Sequence, residues 1–575
     1  KQLTMKKTII LLVSLSFIIT TNAQDVIFDW AEQIGGTGYN TGYSITTDDI
    51  GNIYATGFFS GIADFDPGPE THNLTSYGGA DIFISKNDTF GNFIWAKQLG
   101  GTDYEVGISV VLDNSGNIYI TGNFSGTVDF DPGTNTYNLS AMGTRDCFVT
   151  KLDPSGNFVW AKQFGGTDSY VTGSSLAIDS SGYVYSIGEY SNTVDFDPGI
   201  GVQNLISFGG NDIFISKLDS AGNFIWAKGI GSSDTDRGVD LKVDDSGSDI
   251  YCTGEFRGTV DFNPGNGIYN LTSSGSRDIF LLNLSSSGEF DWANKIGDSG
   301  ADRGHDIAID NTNNFIYLTG EYSGSPDFNP GPESYVLNSA GGQDCFVTKF
   351  NDLGNFVWAR SMGGAAEEEP GNSIQLDSNN DVIVTGWFWG ISDFDPGVNT
   401  FILTSLGQSD VFIAKLDSDG DFSWAKNLGG NGEVYASSWS SALDTSDNIY
   451  TTGIFESGTV DFDPGVGTFN LTPLGDGDIF LHKMSNDNLG IQENNFGEYF
   501  KIHPNPTSGQ LTIDIGKMYS NLTVIVYNQL AQIIQKRTFI NTDRLDINIV
   551  GSSGIYYVEI KGYNEAPLHF KVLKN

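Results

Sequence analysis

The sequence predicts an all-β fold: a seven-bladed β-propeller of four-stranded blades, followed by a small β-sandwich. Two markers repeat along the chain, and no repeat shows the 3.6-residue apolar period of a helix. The first marker is a Trp-Ala pair that begins at Trp30, Trp95, Trp160, Trp226, Trp292, Trp358 and Trp424. The second is Asp-Phe-Asp/Asn-Pro-Gly, which begins at Asp64, Asp129, Asp195, Asp261, Asp327, Asp393 and Asp461. Two independent markers, seven times each, indicate seven copies of one unit.

Each unit reads as four short strands, named A to D in chain order. In the second unit these are 108–112, 118–124, 147–152 and 158–162, and Asp-x-x-Gly-Asn turns separate A from B and C from D. Asp accepts hydrogen bonds within such turns, while Gly and Asn tolerate positive φ. Four strands per unit are typical of a propeller blade.

The repeats begin and end out of phase by one strand. They begin on a lone strand D, 28–31, and end on a strand C, 478–483. A ring explains this offset, because the first strand then completes the last blade and two strand edges are covered. The sequence therefore predicts a 3+1 closure by the N-terminal strand, with a β-solenoid as the alternative.

Composition and charge exclude some classes of function. The 575 residues carry 71 Asp and Glu against 29 Lys and Arg, a net charge of −42, so nucleic acid is not expected as a partner. Cys147, Cys252 and Cys345 are predicted to be buried and unpaired. No phosphate-binding loop or zinc-protease motif is present, and no cofactor is firmly predicted.

The N-terminus has the pattern of an export signal. Met5-Lys6-Lys7 precede an apolar run, 9–19, and the small residue Ala23 follows. The run is too short to cross a bilayer. We expect 1–23 to be a signal peptide with an upstream extension, and the mature protein to have no transmembrane segment.

The repeats resemble the bacterial propeller repeats known as SBBP repeats. The resemblance is carried by Gly116-Asn117-Ile118-Tyr119-Ile120-Thr121-Gly122 and its copies, and it covers residues 25–485. It implies a propeller, which we assign to 24–485, and no particular activity.

From Gly490 onward the repeat is absent, and the sequence no longer carries a strong negative charge. We therefore predict a linker at 486–499 and a second domain at 500–575. The second domain resembles the type A C-terminal sorting domain of the Bacteroidetes type IX secretion system. The matching segments are 503–509, His-Pro-Asn-Pro-Thr-Ser-Gly, then 554–557, Gly-Ile-Tyr-Tyr, and 571–574, Lys-Val-Leu-Lys. The resemblance implies that the tail is recognised by the type IX machinery, and that the protein is secreted or lies on the outer-membrane surface.

The long B–C and D–A loops define one rim of the predicted ring, and long loops on a rigid scaffold are where ligands usually bind. The Asp-Phe-Asp-Pro-Gly loops there are predicted to be turns, with calcium binding as the sharper alternative. The candidate calcium ligands are Asp64, Asp66, Asp129, Asp131, Asp195 and Asp197.

Residues that break the repeat are the candidates for a ligand site. After the glycine of strand B, the sixth unit has Trp387 and Trp389, where the fourth and fifth have Glu255 and Glu321. Arg303 and His305 lie near the start of the fifth strand A. Tryptophan faces and carboxylates suit sugar stacking and hydroxyl recognition. Extra packing between blades is the alternative.

Small polar residues mark each strand A, and we expect them to line the mouth of a wet central channel. They are Ser44, Ser109, Ser175, Asp240, Asp306, Ser373 and Ser440. Seven near-equal units favour a secreted, non-enzymatic binding or scaffold protein with a glycan or surface-protein ligand. A glycan-cleaving propeller and a structural or adhesive surface-layer protein are the alternatives.

Overall fold

The computed structural model describes residues 26–365, 368–486, 501–503, 507–528, 532–562 and 568–574. The predicted signal peptide and nearly all of the predicted linker lie outside the described residues. The chain divides into two compact units, 1–486 and 487–575. No helix is found in the described ranges, as the absence of a helical period predicts. The same ranges contain no helix of the length and apolarity needed to cross a membrane.

The first unit is built entirely from strands. Strand β1 (Val26–Gly36) precedes the first repeat, which has β2 (Asn40–Thr47), β3 (Ile53–Phe59), β4 (Ile62–Asp64), β5 (Asn73–Thr75), β6 (Asp81–Asn87) and β7 (Phe93–Gly101). The second has β8 (Val106–Leu112), β9 (Ile118–Phe124), β10 (Thr127–Asp129), β11 (Asn138–Ser140), β12 (Asp146–Leu152) and β13 (Phe158–Phe164). The third has β14 (Tyr170–Ile178), β15 (Val184–Ser191), β16 (Thr193–Asp195), β17 (Asn204–Ile206), β18 (Asp212–Leu218) and β19 (Phe224–Ile230).

The remaining repeats follow the same plan. The fourth has β20 (Arg237–Val243), β21 (Asp249–Phe256), β22 (Thr259–Asp261), β23 (Asn270–Thr272), β24 (Asp278–Ser285) and β25 (Phe290–Ile296). The fifth has β26 (Arg303–Asp310), β27 (Phe315–Tyr322), β28 (Asp344–Asn351) and β29 (Phe356–Gly364). The sixth has β30 (Gly371–Leu376), β31 (Val382–Phe388), β32 (Ile391–Asp393), β33 (Ile402–Thr404), β34 (Asp410–Leu416) and β35 (Phe422–Leu428). The seventh has β36 (Tyr435–Leu443), β37 (Ile449–Glu456), β38 (Val460–Asp461), β39 (Asn470–Leu471) and β40 (Asp478–Asn486).

The long strands pair in antiparallel groups of four, in the order A-B-C-D. The first six groups are β2-β3-β6-β7, β8-β9-β12-β13, β14-β15-β18-β19, β20-β21-β24-β25, β26-β27-β28-β29 and β30-β31-β34-β35. The last group is β36-β37-β40-β1, so the N-terminal strand pairs with the last strand of the seventh repeat. Short hairpins such as β4–β5 occupy the B–C loops, a feature that the sequence did not predict.

Apolar side chains fill the spaces between neighbouring groups. One buried cluster joins the N-terminal strand, the first repeat and the seventh repeat through Ile34, Phe59 and Ile479. The A strands contact one another in sequence, and β2 contacts both β8 and β36. The first and last repeats are therefore in contact.

The second unit contains β41 (Lys501–His503), β42 (Gln510–Tyr527), β43 (Ile533–Asn548), β44 (Gly554–Gly562) and β45 (Leu568–Lys574). These strands form one antiparallel sheet, in which β42 pairs with β41, β43 and β44. Its buried side includes Leu511, Val524 and Val558. The predicted sandwich stays a prediction, and residues 504–506 of the sorting motif are outside the described ranges.

Candidate functional site

The Asp-Phe-Asp-Pro-Gly loops are turns held by their own carboxylates. Oδ1 of Asp64 accepts hydrogen bonds from the N–H groups of Asp66 (3.1 Å) and His72 (2.8 Å). Oδ1 of Asp66 accepts one from Gly68 at 2.8 Å. Phe65 packs between Phe59 and Phe83. The loop carboxylates therefore cap the turn, as Asp does where it accepts bonds from nearby N–H groups.

The same carboxylate pattern recurs in the other repeats, including the candidate calcium ligands Asp129, Asp131, Asp195 and Asp197. In each of these loops two carboxylates have an oxygen already engaged by backbone N–H groups, whereas calcium takes six to eight oxygen ligands. No group of three or more His, Cys, Asp or Glu among the described residues is placed to hold a metal. The loop residues thus fit a turn better than a calcium site.

Every strand A contains a β-bulge at the same position. The pairing register shifts between Gly42 and Ser44 in the first repeat, and at the matching residues in the other six. A bulge re-aims the side chain that it inserts. The inserted residues, here called the bulge ring, are Tyr43, Ile108, Ser174, Val239, His305, Asn372 and Trp439, and all seven line one cavity of about 390 Å³.

The small polar residues predicted to line a channel form the next layer of this cavity. They also connect consecutive repeats: the N–H of Val110 donates to Oγ of Ser44 at 3.2 Å, and the N–H of Ile307 donates to Oδ2 of Asp240 at 3.0 Å. The matching bond between the first and last repeats runs from the N–H of Ile45 to Oγ of Ser440, at 3.3 Å. The polar layer is therefore part of the scaffold.

A charged group lies within this layer. Nζ of Lys242 is 2.9 Å from a carboxylate oxygen of both Asp240 and Asp306. Burial raises the pKa of the Asp240 carboxyl, and the nearby Lys242 ammonium opposes that shift. Ser175 and Ser373 donate hydroxyl hydrogen bonds to the same two carboxylates. The charged and hydroxyl groups of this layer therefore pair with one another, and they give the cavity a polar lining.

One wall of the cavity mouth is aromatic. The ring centroids of Tyr43 and Trp439 lie 5.9 Å apart, and the ring of Phe58 packs against Tyr43 at 6.0 Å in a tilted arrangement. Tyr39 and Tyr104 extend the cluster outward from Phe58. Sequence reasoning missed this wall. The sequence does contain a signal for this wall: the residue just before the small polar residue of each strand A differs from repeat to repeat.

A hydrogen-bonding wall is formed by the fifth and sixth repeats. Nδ1 of His305 lies 3.0 Å from Oδ1 of Asn372, whose Nδ2 donates to the carbonyl of Ser438. That orientation of the amide assigns the ring proton to Nδ1. Burial, with the positive charge of Arg303, lowers the pKa of His305 to about 3, so the ring is neutral at pH 7. Its Nε2 has no hydrogen-bond partner among the described residues and is an acceptor.

Three of the predicted site residues, Glu255, Glu321 and Arg303, belong to one network of ion pairs. Arg277 joins them, with guanidinium nitrogens 3.0 Å from Glu255 and 2.9 Å from Glu321. Arg303 lies 3.6 Å from the fully buried Glu255 carboxylate. Burial raises the pKa of Glu321, and the neighbouring arginines oppose the shift. Sequence reasoning missed Arg277 because it lies in a B–C loop away from the markers.

Trp387 and Trp389 pack against each other, with ring centroids 6.3 Å apart. Neither tryptophan lines the central cavity, whereas Arg303 and His305 do. The structure thus separates the predicted site into an interior part that meets the cavity and a tryptophan pair outside it.

Comparisons with known proteins give distant relatives. The chain is 25% identical over 523 residues to an uncharacterized WD repeat-containing protein of Acanthamoeba polyphaga mimivirus, covering 76% of this chain and 37% of that protein. It is 24% identical over 225 residues to the regulatory protein FlaEY of Caulobacter vibrioides, covering 38% of this chain and 22% of that protein. The chain therefore spans well under half the length of these relatives.

A solved structure of a protein of unknown function from Bacteroides caccae matches with a TM-score of 0.26 and 9% identity, covering 58% of this chain and 93% of that one. A likeness at this level carries no argument about fold or function.

Two family models match parts of the chain. The β-propeller repeat matches residues 94–123 and 159–196, and the secretion system C-terminal sorting domain matches residues 501–574. The second match implies a secreted or outer-membrane surface protein. The chain therefore carries β-propeller repeats of the SBBP type and ends in a type IX secretion system C-terminal sorting domain.

Proposed function

We propose that the protein is a secreted or cell-surface binding module, a seven-bladed propeller closed by its N-terminal strand, which binds a glycan at the bulge ring. Closure is supported by the pairing of β1 with β40 and by the Ile45–Ser440 hydrogen bond. The sorting tail supports export by type IX secretion. The signal peptide at 1–23 supplies the first export step in this proposal.

The observation that supports a glycan ligand is that one cavity has both an aromatic wall and a hydrogen-bonding wall. Tyr43 and Trp439 offer aromatic faces, while the partly exposed Arg303 offers hydrogen-bond donors, and the cavity of about 390 Å³ lies in the usual range of small-ligand sites. A sugar ring has apolar C–H faces and a hydroxyl edge, so it complements both walls. The net charge of −42 favours a neutral sugar over an anionic one.

A binding role is favoured over glycan cleavage by the state of the carboxylates. A glycosidase needs two carboxyl groups facing the scissile bond, one of them positioned to protonate the leaving oxygen. Asp240 and Asp306, the carboxylates that line the cavity, are both paired with Lys242 at 2.9 Å. Glu255 and Glu321, outside the lining, are both engaged by Arg277, at 3.0 and 2.9 Å. This arrangement suits a rigid rim better than proton transfer.

The test is binding of neutral oligosaccharides by the full-length secreted protein, first on a glycan array and then by calorimetry. We expect Trp439→Ala to weaken binding about two- to tenfold, because it removes a stacking face worth about 0.5–1.5 kcal/mol. Trp387→Ala is the matched control, since that tryptophan is outside the cavity lining. Loss of binding in Trp387→Ala alone would instead place the site at the tryptophan pair, and the absence of binding to any glycan would contradict the proposed ligand class.

A further inference from the structure

A lysine occupies the same position of strand C in every repeat except the fourth. These residues are Lys86, Lys151, Lys217, Lys349, Lys415 and Lys483, and the fourth repeat has Asn283. In most of these repeats the ammonium lies over a tyrosine of strand B, for example Lys86 over Tyr54 at 4.7 Å and Lys349 over Tyr317 at 4.8 Å. A lysine ammonium packed against a tyrosine ring is therefore a recurring feature of the repeat.

The same ammonium also contacts oxygen atoms of nearby turns. Nζ of Lys217 donates to the carbonyl of Ser286, and Nζ of Lys349 donates to the carbonyl of Ser418, both at 3.0 Å. Lys415 instead meets the carboxylate of Asp377 at 2.6 Å. An aromatic face, a turn carbonyl and acidic groups therefore make up the recurring environment of the cation.

In the fourth repeat this environment exists without its cation. Among the described residues, the amide of Asn283 reaches only Oδ1 of Asp249 and the carbonyl of Ile250, each at 3.5 Å. A cavity of about 320 Å³ lies beside Tyr251, the cross-strand partner of Asn283, on the side of the A–B and C–D turns. Its polar lining includes Asp244, Asp245, Asp249, Asp310, Asp352 and Tyr251.

A second observation concerns Tyr251, which lacks a hydrogen bond that most of the equivalent tyrosines make; Tyr317 of the fifth repeat lacks it as well. In four other repeats the corresponding hydroxyl donates to the first Asp of the A–B turn, as Tyr119 does to Asp113 at 3.1 Å and Tyr450 to Asp444 at 2.9 Å. The hydroxyl of Tyr251 donates to no described residue, although the side chain is only 4% exposed.

The cause lies in the turn. The A–B turn of the fourth repeat is one residue longer, closing between Asp244 and Asp249, whereas that of the second repeat closes between Asp113 and Asn117. The carboxylate of Asp244 is taken by Ser246 and by the backbone of Ser248. The tyrosine is therefore left facing a cavity of the size of a small ligand.

We propose that this cavity binds a primary ammonium group, supplied by a small amine or by a lysine side chain of a partner. The ring of Tyr251 lies under the cation, as the equivalent tyrosines lie under the internal lysines. The carbonyl of Asp352 corresponds to that of Ser286; Trp292 donates to the former at 3.0 Å and Trp226 to the latter at 3.2 Å. The carboxylates of Asp244 and Asp352 balance the charge.

An organic cation fits this cavity better than a metal ion. The described residues contain no group of three or more His, Cys, Asp or Glu placed to hold a metal. An ammonium, by contrast, already occupies the matching position in six repeats. The proposal is independent of glycan binding, because no residue is shared between the two cavities.

The experiment is a titration of the full-length secreted protein at low ionic strength, read by calorimetry and by thermal melting. The probes are n-butylamine, the peptide acetyl-Gly-Lys-Gly-amide, n-butanol as the uncharged isostere, and calcium chloride. We expect saturable binding of the amine, of the peptide or of both, and none of butanol. Binding of the peptide alone identifies a protein lysine as the source, and binding of butylamine alone identifies a small amine.

Asn283→Lys is the decisive variant, because it supplies the repeat's own ammonium within the chain. We expect it to weaken amine binding at least tenfold and to raise the melting temperature of the unliganded protein. Asn114→Lys makes the same charge change on an exposed A–B turn and should leave binding unchanged. Asp352→Asn, in an exposed turn, should weaken binding severalfold without affecting folding.

Amine binding that is equal in Asn283→Lys and the unaltered protein would overturn the proposal. So would saturable calcium binding with no amine binding, or the absence of binding by both the amine and the peptide. Loss of amine binding with intact glycan binding, or the reverse, separates this proposal from the one for the bulge ring.

Discussion

The backbone N–H of Ile45, in the first repeat, donates a hydrogen bond to Oγ of Ser440, in the last repeat, at 3.3 Å. Bonds of the same form join consecutive repeats, such as that from the N–H of Leu176 to Oγ of Ser109. The first and last repeats thus meet through the same contact that joins neighbours along the chain. The predictions below follow from this arrangement and from the groups buried within it.

Gly35, in the N-terminal strand, should not tolerate a side chain. A Cβ at this position would lie 2.0 Å from Oδ1 of Asp478, a buried carboxylate that also accepts a hydrogen bond from Gln33. We expect Gly35→Ala to cost about 1–3 kcal/mol of unfolding free energy, measured by urea denaturation. Gly100→Ala is the matched control, because its Cβ would lie at the same distance from Asp81, within a repeat whose strands are consecutive in the chain. A neutral Gly35→Ala beside a damaging Gly100→Ala would mean that the N-terminal strand is not packed like the others.

Glu255 should be a structural residue of the rim. Its fully buried carboxylate lies within 3.0–3.7 Å of guanidinium nitrogens of Arg277, Arg303 and Arg237. Glu255→Gln leaves these cations without their shared anion, so we expect a loss of about 3–5 kcal/mol. Glu289→Gln, at a 70% exposed carboxylate, should cost under about 1 kcal/mol. Unchanged stability in Glu255→Gln would contradict a structural role and make this carboxylate available for chemistry.

Stability should rise as the pH falls from 8 to 6.5. Burial raises the pKa of Asp212 and Asp344 to about 7 and of Asp410 to about 6. Because these folded-state pKa values exceed those of the unfolded chain, the folded protein takes up more protons as the pH falls through this window, and protonation stabilises it. Below pH 6.5 the buried His305 and His482, whose pKa values burial lowers to about 3, act in the opposite direction.

The measurement is the melting temperature across the pH window from 8 to 6.5. Asp212→Asn is the matched variant, since an amide mimics the protonated carboxyl and its oxygen can still accept from the N–H of Phe208. We expect this variant to show a shallower pH dependence than the unaltered protein. A flat profile, or a melting temperature that falls toward pH 6.5, would show that the buried carboxyl groups do not titrate as described.

The Asp-Phe-Asp-Pro-Gly turns should be independent of calcium, because their carboxylates bond to backbone N–H groups. We expect equal melting temperatures in excess calcium and in excess chelator. Asp129→Ala should instead cost about 1 kcal/mol, since the N–H groups of Asp131 and Tyr137 lose their acceptor. A melting temperature that drops several degrees with chelator would restore the calcium interpretation.

The main strands were predictable because their signals are local. In the second repeat, strands predicted at 108–112 and 118–124 are observed as Val106–Leu112 and Ile118–Phe124. The pairing of the N-terminal strand with the last strand was also predictable, from a one-strand offset in the repeat count. The two resemblances, to the SBBP repeat and to the sorting domain, are confirmed by the family matches.

The site was predictable only in part. Trp387 was chosen because it differs from the residues at the same position in the other repeats. The residues that line the cavity are instead inserted by β-bulges, and a bulge depends on the pairing register of two strands, so it is hard to recognise in the sequence of one strand. Tyr43 and Trp439 were missed for that reason. Arg277 was missed because it lies in a B–C loop away from the repeat markers. Asn283, by contrast, stands out once the strands C are aligned by their lysines.

The most direct test of ring closure is a disulfide between the N-terminal strand and the last repeat. Ile27 and Ser485 are paired across β1 and β40, and neither is fully buried. We expect Ile27→Cys combined with Ser485→Cys to oxidise to an intramolecular disulfide, detected by mass spectrometry, because directly paired strand residues lie within disulfide range. The native cysteines are buried, and the two single variants serve as controls. Quantitative formation of the bridge in the folded protein is the predicted result, and two free thiols in a folded double variant would contradict a chain closed by its first strand.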